Sequence, residues 1–475
     1  MDFYFYLGLL TLGFAILALG VWLKTRSVAF VIGACFLYYW SLLGAWNIVA
    51  ALRSGGETPY LFYKLFPVFL NSDYRDALLL YGLFICTVMA TVLYTARPVR
   101  LQQQVPKVIE ISHWKAVFLS AFCGLLGYLI IRSAVSTAGG GYGTVSNAPG
   151  YSIFQVLNHG ALSITAIGLA TYMSGQRARL VFGRRNRLAL MGYLGLLAAL
   201  LLLMMRLGNR GEVALSAVLL VLFYMANTVR PNKLLLAGTA AIGLVAIMAV
   251  KFSRDHVFAR ASGMGELLIR AKEELLQSTE TTAAHLSMYG ALHKHLSLTG
   301  GTSFLSLVAS MVPHALWPNR PATIYEYYVA GVGAHEGQGY TIHHATGWYL
   351  NFGVTGVMVG ALLVGWIWAK LHNLVYDGKY RNSAFYNALA MTSFWSFTSS
   401  LPDLVRSGPE VYKTTVFAQL LGPALLVVIC SSGMVLRKER PVIIFRRRLQ
   451  HRAFRADSGN VAISSGTMRV TRAGQ

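Results

Sequence analysis

The sequence is short of charge. Only 12% of its residues are Asp, Glu, Lys or Arg, about half of what a soluble domain carries, while 55% are hydrophobic. Acids are scarcer than bases: 18 Asp and Glu stand against 41 Lys and Arg, for a net charge of +23. There are only four cysteines, Cys35, Cys86, Cys123 and Cys430, and each lies inside an apolar run. That excludes a disulfide framework and a CxxC metal site. The HExxH spacing is missing, no Cys or carboxylate set completes a metal site around the histidines, and no cofactor is expected. The alternating pattern of a membrane β-barrel is absent, as is the internal repeat found in many transporters. Met1–Asp2 lacks the basic region of a cleavable signal, so the first apolar run reads as a retained helix.

What the sequence has is long apolar runs. They fall at 3–23, 28–50, 77–95, 115–132, 152–173, 188–206, 211–228, 233–251, 344–369, 384–399 and 412–436. Runs of this length cross a bilayer core of about 30 Å, and in lipid they must be helical to satisfy their own backbone. The expected fold class is therefore an all-α polytopic membrane protein with about eleven transmembrane helices. Its parts are 1–251 with eight spans, a large extracytoplasmic loop at 252–343, three spans in 344–436, and a basic cytoplasmic tail at 437–475.

Charge sets the orientation. One set of loops, with the tail, holds 26 of the 41 Lys and Arg, although it contains far fewer loop residues. By the positive-inside rule that set is cytoplasmic. The N-terminus is then outside and the tail inside. The acids agree: Glu57, Asp73, Asp76, Glu212, Asp255, Glu266, Glu326, Glu336, Asp403 and Glu410 all fall on the outer side. Because the bases flank spans, they are explained by topology and anionic lipid headgroups, and nucleic acid is not expected as a partner.

The segment 252–343 is too long for a connector. The stretch 266–276, ELLIRAKEELL, has leucines at helical spacing and suits an amphipathic helix on the membrane surface. The apolar run 302–317 is short for a span and reads as a re-entrant or interfacial helix ended by Pro313 and Pro318. A second outer loop, at 138–151, is glycine-rich with two tyrosines and suits a sugar contact or a plain linker.

Five constellations can carry chemistry. The first is Arg206-Leu-Gly-Asn-Arg210-Gly-Glu212, an outer turn between spans six and seven. A guanidinium presents a planar fork of donors that matches phosphate oxygens, and arginines on the outer face run against the topological bias. Snorkelling, or an ion pair with Glu212, is the structural alternative. The second holds Arg254 beside Asp255, where span eight leaves the membrane. The third, at 312–321, offers Arg320 as a phosphate ligand along with His314. The fourth, at 334–347, brings Glu336, His343 and His344, any of which can take a proton from a sugar hydroxyl. The fifth, in the outer loop after span ten, adds Asp403, Arg406 and Glu410, for which mutual pairing competes with substrate binding. Tyr325, in a tyrosine-rich stretch, is a further substrate-contact candidate.

The run Val312-Pro-His-Ala-Leu-Trp-Pro-Asn-Arg-Pro321, with Thr346-Gly-Trp-Tyr-Leu-Asn-Phe-Gly-Val-Thr-Gly356 opening a span, resembles the O-antigen or oligosaccharide repeat-unit polymerases of the Wzy type. The arginine turn and the many-helix layout with one large outer loop resemble them too. The layout covers most of the chain, the motifs only 206–212 and 312–356. Such polymerases often have an acid near the position of Trp348, which is a departure. The resemblance implies a glycosyltransferase of the bacterial inner membrane, with its active site facing the periplasm. It would transfer a growing glycan from undecaprenyl pyrophosphate to an incoming lipid-linked repeat unit. Arg206, Arg210 and also Arg254 and Arg320 would meet the charge on the leaving group without a metal. A chain-length regulator is an implied partner besides membrane lipids. Three rivals remain: an O-antigen ligase acting on lipid A core, a flippase for lipid-linked oligosaccharide, and a peptidoglycan glycosyltransferase of the shape, elongation and division type.

Overall fold

The computed structural model describes residues 2–54, 67–98, 111–137, 150–176, 184–207, 210–227, 232–254, 263–277, 279–309, 317, 321–334, 341–376 and 384–431. The described part is all-helical. In chain order the helices are α1 (Phe3–Thr25), α2 (Val28–Arg53), α3 (Ser72–Thr95), α4 (His113–Thr137), α5 (Tyr151–Gln176), α6 (Arg184–Leu207), α7 (Arg210–Asn227) and α8 (Lys233–Arg254). Then follow α9 (Met264–Gln277), α10 (Thr279–His293), α11 (Thr302–Ala309), α12 (Ile324–Val332), α13 (His344–Tyr376), α14 (Ala384–Val405) and α15 (Val411–Cys430). Eight of them, α1 to α6, α13 and α15, contain a stretch long and apolar enough to cross a membrane. The chain is a multi-pass membrane protein by that measure. The other three expected spans coincide with α7, α8 and α14.

Local chemistry sets the ends. Asp2 caps α1 by accepting the Tyr4 N–H at 3.0 Å, and Asn71 caps α3 through the Tyr74 N–H at 3.0 Å. Thr323 and Glu326 form a reciprocal capping box on α12, which stops at the left-handed Gly333. On α1, Phe5, Leu9, Leu12, Ile16, Leu19 and Leu23 are all exposed at steps of three or four residues. They make one apolar stripe of the kind that meets acyl chains.

Inside, α3 packs along α13, α1 lies on α3, α4 packs on α5, and α5 on α7. Helix α14 touches α2, α7, α13 and α15 and so sits at the centre. Trp368 of α13 is fully buried there, edge-on to Phe30, and donates to Thr398 Oγ1 at 3.0 Å.

Hydrogen bonds between elements identify two ends of the bundle. At one, Arg53 pairs with Asp2, Tyr74 meets His285, and His344 meets Ser407. This end carries α10 and α12, and is the loop end. At the other, Lys24 donates to Leu93 O at 2.6 Å, Asn373 to Thr95 O at 2.9 Å, and Ser112 N to Cys430 O at 2.9 Å.

Three expectations shift. Helix α14 does not stop before 401. It runs through Pro402 to Val405, with Arg406 N bonded to Pro402 O at 3.1 Å, so Asp403 stands on a helix and not in a loop. Helix α13 reaches Tyr376 and breaks its regularity at Phe352 and Gly353. The run 302–317 is helical at Thr302–Ala309, and 310–316 lie outside the described residues. The amphipathic stretch is the helix α9, with Leu268 and Ile269 exposed and an i,i+4 pair between Glu266 and Arg270 at 2.7 Å.

Candidate functional site

The two adjacent histidines sit where α13 begins. His343 is fully buried, with its ring 4.5 Å from Tyr81 and 5.6 Å from Phe84. Its Nδ1 accepts the Ala345 N–H at 3.0 Å, so in the neutral ring Nε2 carries the proton and meets Ser41 Oγ at 2.9 Å. His344 has the opposite tautomer. Its Nδ1 donates to Ser407 O at 2.9 Å, and Nε2 accepts from Tyr412 Oη at 2.7 Å and Trp348 Nε1 at 3.1 Å. A third buried histidine, His285 on α10, donates from Nδ1 to Ser41 O at 3.0 Å and lies 3.1 Å from Tyr74 Oη through Nε2. Ser41 serves two of the three because it lies in a π-helical turn of α2, Tyr39–Leu43, where the i→i+5 pattern frees backbone groups. Tyr81 Oη completes the network between the Met288 N–H at 3.0 Å and the His285 carbonyl at 2.8 Å. All six ring nitrogens are engaged. The arrangement binds α2, α3, α10, α13, α14 and α15 together at the loop end.

A second polar cluster lies between α5 and α7. Glu212, in the first turn of α7, is 2% exposed. Asn158 Nδ2 donates to Glu212 Oε2, and His159 Nδ1 lies 3.5 Å from Glu212 Oε1. The same His159 nitrogen is 2.9 Å from Gln155 O. Ser216 Oγ donates to Glu212 O at 2.8 Å. Asn158 Oδ1, His159 Nε2 and Ser163 Oγ are buried with no hydrogen-bond partner among the described residues. An acid and an imidazole buried in a membrane bundle are expensive and mark function more often than packing. Sequence reasoning treated Glu212 only as an arginine partner and passed over Asn158 and His159. The available signal was Gln155, His159 and Ser163 at i, i+4 and i+8 in a largely apolar run that also carries Asn158.

A third group caps α14 and α15. Asp403 pairs with Arg406 at 3.0 Å and accepts from Gln419 Nε2 at 3.1 Å. Gln419 stands in the second π-helical segment, Thr415–Leu421. Glu410 accepts the Ile324 N–H at 2.6 Å, satisfying a donor at the open N-terminus of α12. Burial pushes the Glu410 carboxyl above its ordinary range, and the Ile324 hydrogen bond opposes that shift.

The other candidates fall as follows. Arg206 is exposed in the last turn of α6, and Arg210 opens α7 two residues before Glu212. Arg254 ends α8. The side chains of Arg210 and Arg254, and all of His314, Arg320 and Glu336, lie outside the described residues. Tyr325 is half-buried on α12. Trp348, where the resembled polymerases tend to have an acid, packs 4.9 Å from Phe304 and donates to His344. Among the described residues no group of three His, Cys, Asp or Glu side chains is placed to hold a metal ion. No family model matches the chain, and no curated protein or solved structure matches it.

Proposed function

We propose that the chain is a membrane glycosyltransferase that polymerises undecaprenyl-pyrophosphate-linked repeat units into a surface polysaccharide. In this reading eleven helices cross the inner membrane, α7, α8 and α14 included, and the loop end faces the periplasm. The observation that carries the reading is the pairing of two features at the start of α7. Arg206 closes α6 and Arg210 opens α7, and the buried Glu212–His159–Asn158 cluster begins two residues beyond Arg210. Breaking the bond from a sugar to a lipid pyrophosphate places negative charge on the leaving oxygen, which guanidinium donors stabilise. The incoming hydroxyl must lose a proton, which a buried imidazole or carboxylate can take. An O-antigen ligase shares this donor chemistry and differs in its acceptor. Purified protein given lipid-linked repeat units should form a ladder of products. Failure to form one at normal abundance would reject the polymerase, and transfer to lipid A core alone would indicate the ligase.

A transport reading has one observation in its favour: ionisable groups inside the bundle, here Glu212 and His159, are what a flippase would use. Arg206→Ala with Arg210→Ala separates the two in cells that build O-antigen. A dead polymerase still leaves single repeat units outside, so core carrying one unit and no ladder is expected. Bare core with normal expression would favour transport.

A further inference from the structure

His285, His343 and His344 use both ring nitrogens, but His159 does not. Its Nδ1 lies 2.9 Å from the Gln155 carbonyl, which can only accept, so the proton of the neutral ring sits on Nδ1 and Nε2 keeps its lone pair. Nε2 has no partner among the described residues, although His159 is only 3% exposed. Asn158 Oδ1 and Ser163 Oγ share that condition, and the three atoms fall within six residues of one helix. Buried acceptors without donors are destabilising and call for a reason. Glu212 Oε1 stands 3.5 Å from Nδ1, on the side opposite the free nitrogen, and Asn158 holds the other carboxylate oxygen. A carboxylate behind one ring nitrogen and an open lone pair on the other is the geometry of an activated imidazole base.

We propose that His159 Nε2 is the proton acceptor for the hydroxyl of the incoming sugar, with Glu212 as its positioning residue. This rests on the glycosyltransferase reading above. The acceptor O–H bond breaks and its proton goes to Nε2. The freed electron pair forms the new bond to the anomeric carbon. The bond from that carbon to the phosphate oxygen breaks, and the lipid pyrophosphate leaves with its electron pair. The imidazolium formed keeps its Nδ1 proton on the Gln155 carbonyl and is stabilised by the charge of Glu212, whose Oε1 is 3.5 Å from Nδ1. His159 lies about 12 Å along α5 from Tyr151 at 1.5 Å per residue, and Glu212 follows Arg210 by two residues. Leaving group and base therefore meet at the same end of the α5–α7 pair. Asn158 Oδ1 and Ser163 Oγ are free to bind neighbouring sugar hydroxyls. Because the ring is buried, acceptor binding must part α5 and α7 at their loop ends, and the closed site then keeps water from the donor.

The test uses the whole protein in lipid nanodiscs with lipid-linked repeat units. His159→Gln should lower kcat by about 10²–10⁴-fold, with KM for the repeat unit little changed. Glu212→Gln, an isostere that still meets Asn158, should also lower kcat and leave KM. The double variant should be no slower than His159→Gln alone, because one group acts through the other. Activity of folded His159→Gln within about tenfold of the parent, a loss confined to KM, or additive losses would overturn the proposal. If His159→Gln fails to fold, Glu212→Gln decides by the same split between kcat and KM. An active parent with an active His159→Gln rejects this base alone. A parent inactive on lipid-linked units rejects the glycosyltransferase reading and the base with it.

Discussion

His343 and His344 are neighbours in the chain but reach apart: one ring meets Ser41 on α2, and the other meets Tyr412 at the start of α15. Their pairing in sequence suggests a base, yet Ser41 and Tyr412, each of which meets one of these nitrogens, are 302 and 68 residues away. No local pattern carries that information. His159 was overlooked for the converse reason. A single histidine in an apolar run looks like a packed core residue until its tautomer and its empty nitrogen are seen. Arg206 and Arg210 stand out in the sequence because a basic pair among loops that hold the acids breaks a charge rule. If Arg210 forks a phosphate, Arg210→Lys keeps the charge but loses the fork. It should slow ladder formation on the order of 100-fold, or about 3 kcal/mol in the transition state. Near-normal rates in protein of normal abundance would make Arg210 a surface charge.

At the scale of elements, departures from regular helix gather near the polar clusters. The two π-helical turns present Ser41 to two histidines and Gln419 to Asp403. Helix α13 breaks at Phe352 and Gly353, where Gly353 has φ 65° and ψ −150°, a conformation nearly exclusive to glycine. The break separates the segment that holds His344, Trp348 and Asn351 from the rest of the helix. Asn351 Oδ1 then accepts from Thr299 Oγ1 at 3.0 Å and Ser303 Oγ at 2.7 Å, tying α11 and the residues before it to α13. Gly353→Ala should cost about 1–3 kcal/mol. It should lower the melting temperature in detergent and reduce activity together, since the histidine segment would be re-aimed. An unchanged melting temperature would mean that the break is not enforced there. Gly353 was visible in sequence as a glycine inside a span, but glycines recur in membrane helices and nothing local singles it out.

For the whole molecule, the proposed orientation rests on the asymmetry of Lys and Arg. In the structure α10, the start of α13 and the residues just after α14 are hydrogen-bonded together at one end. A cysteine replacing exposed Lys294 should react with a membrane-impermeant thiol reagent in intact spheroplasts, and one replacing Ser458 should not. The opposite labelling would invert the molecule and remove the periplasmic site.

The sequence by itself determined that this is a helical membrane protein and where most of its long helices run, because lipid allows few backbone solutions and the length of an apolar run is a local property. Its charge bias, additive along the chain, also supplies the expectation of which loops share a side. Only the tertiary structure decided which polar residues are paired and which are left open. Whether a buried nitrogen finds a donor depends on helices packed from distant parts of the chain. Burial removes the water that would otherwise satisfy every histidine alike. His343 and His344 meet partners through both ring nitrogens, and His159, with Glu212 3.5 Å from its Nδ1, has no partner at Nε2 among the described residues.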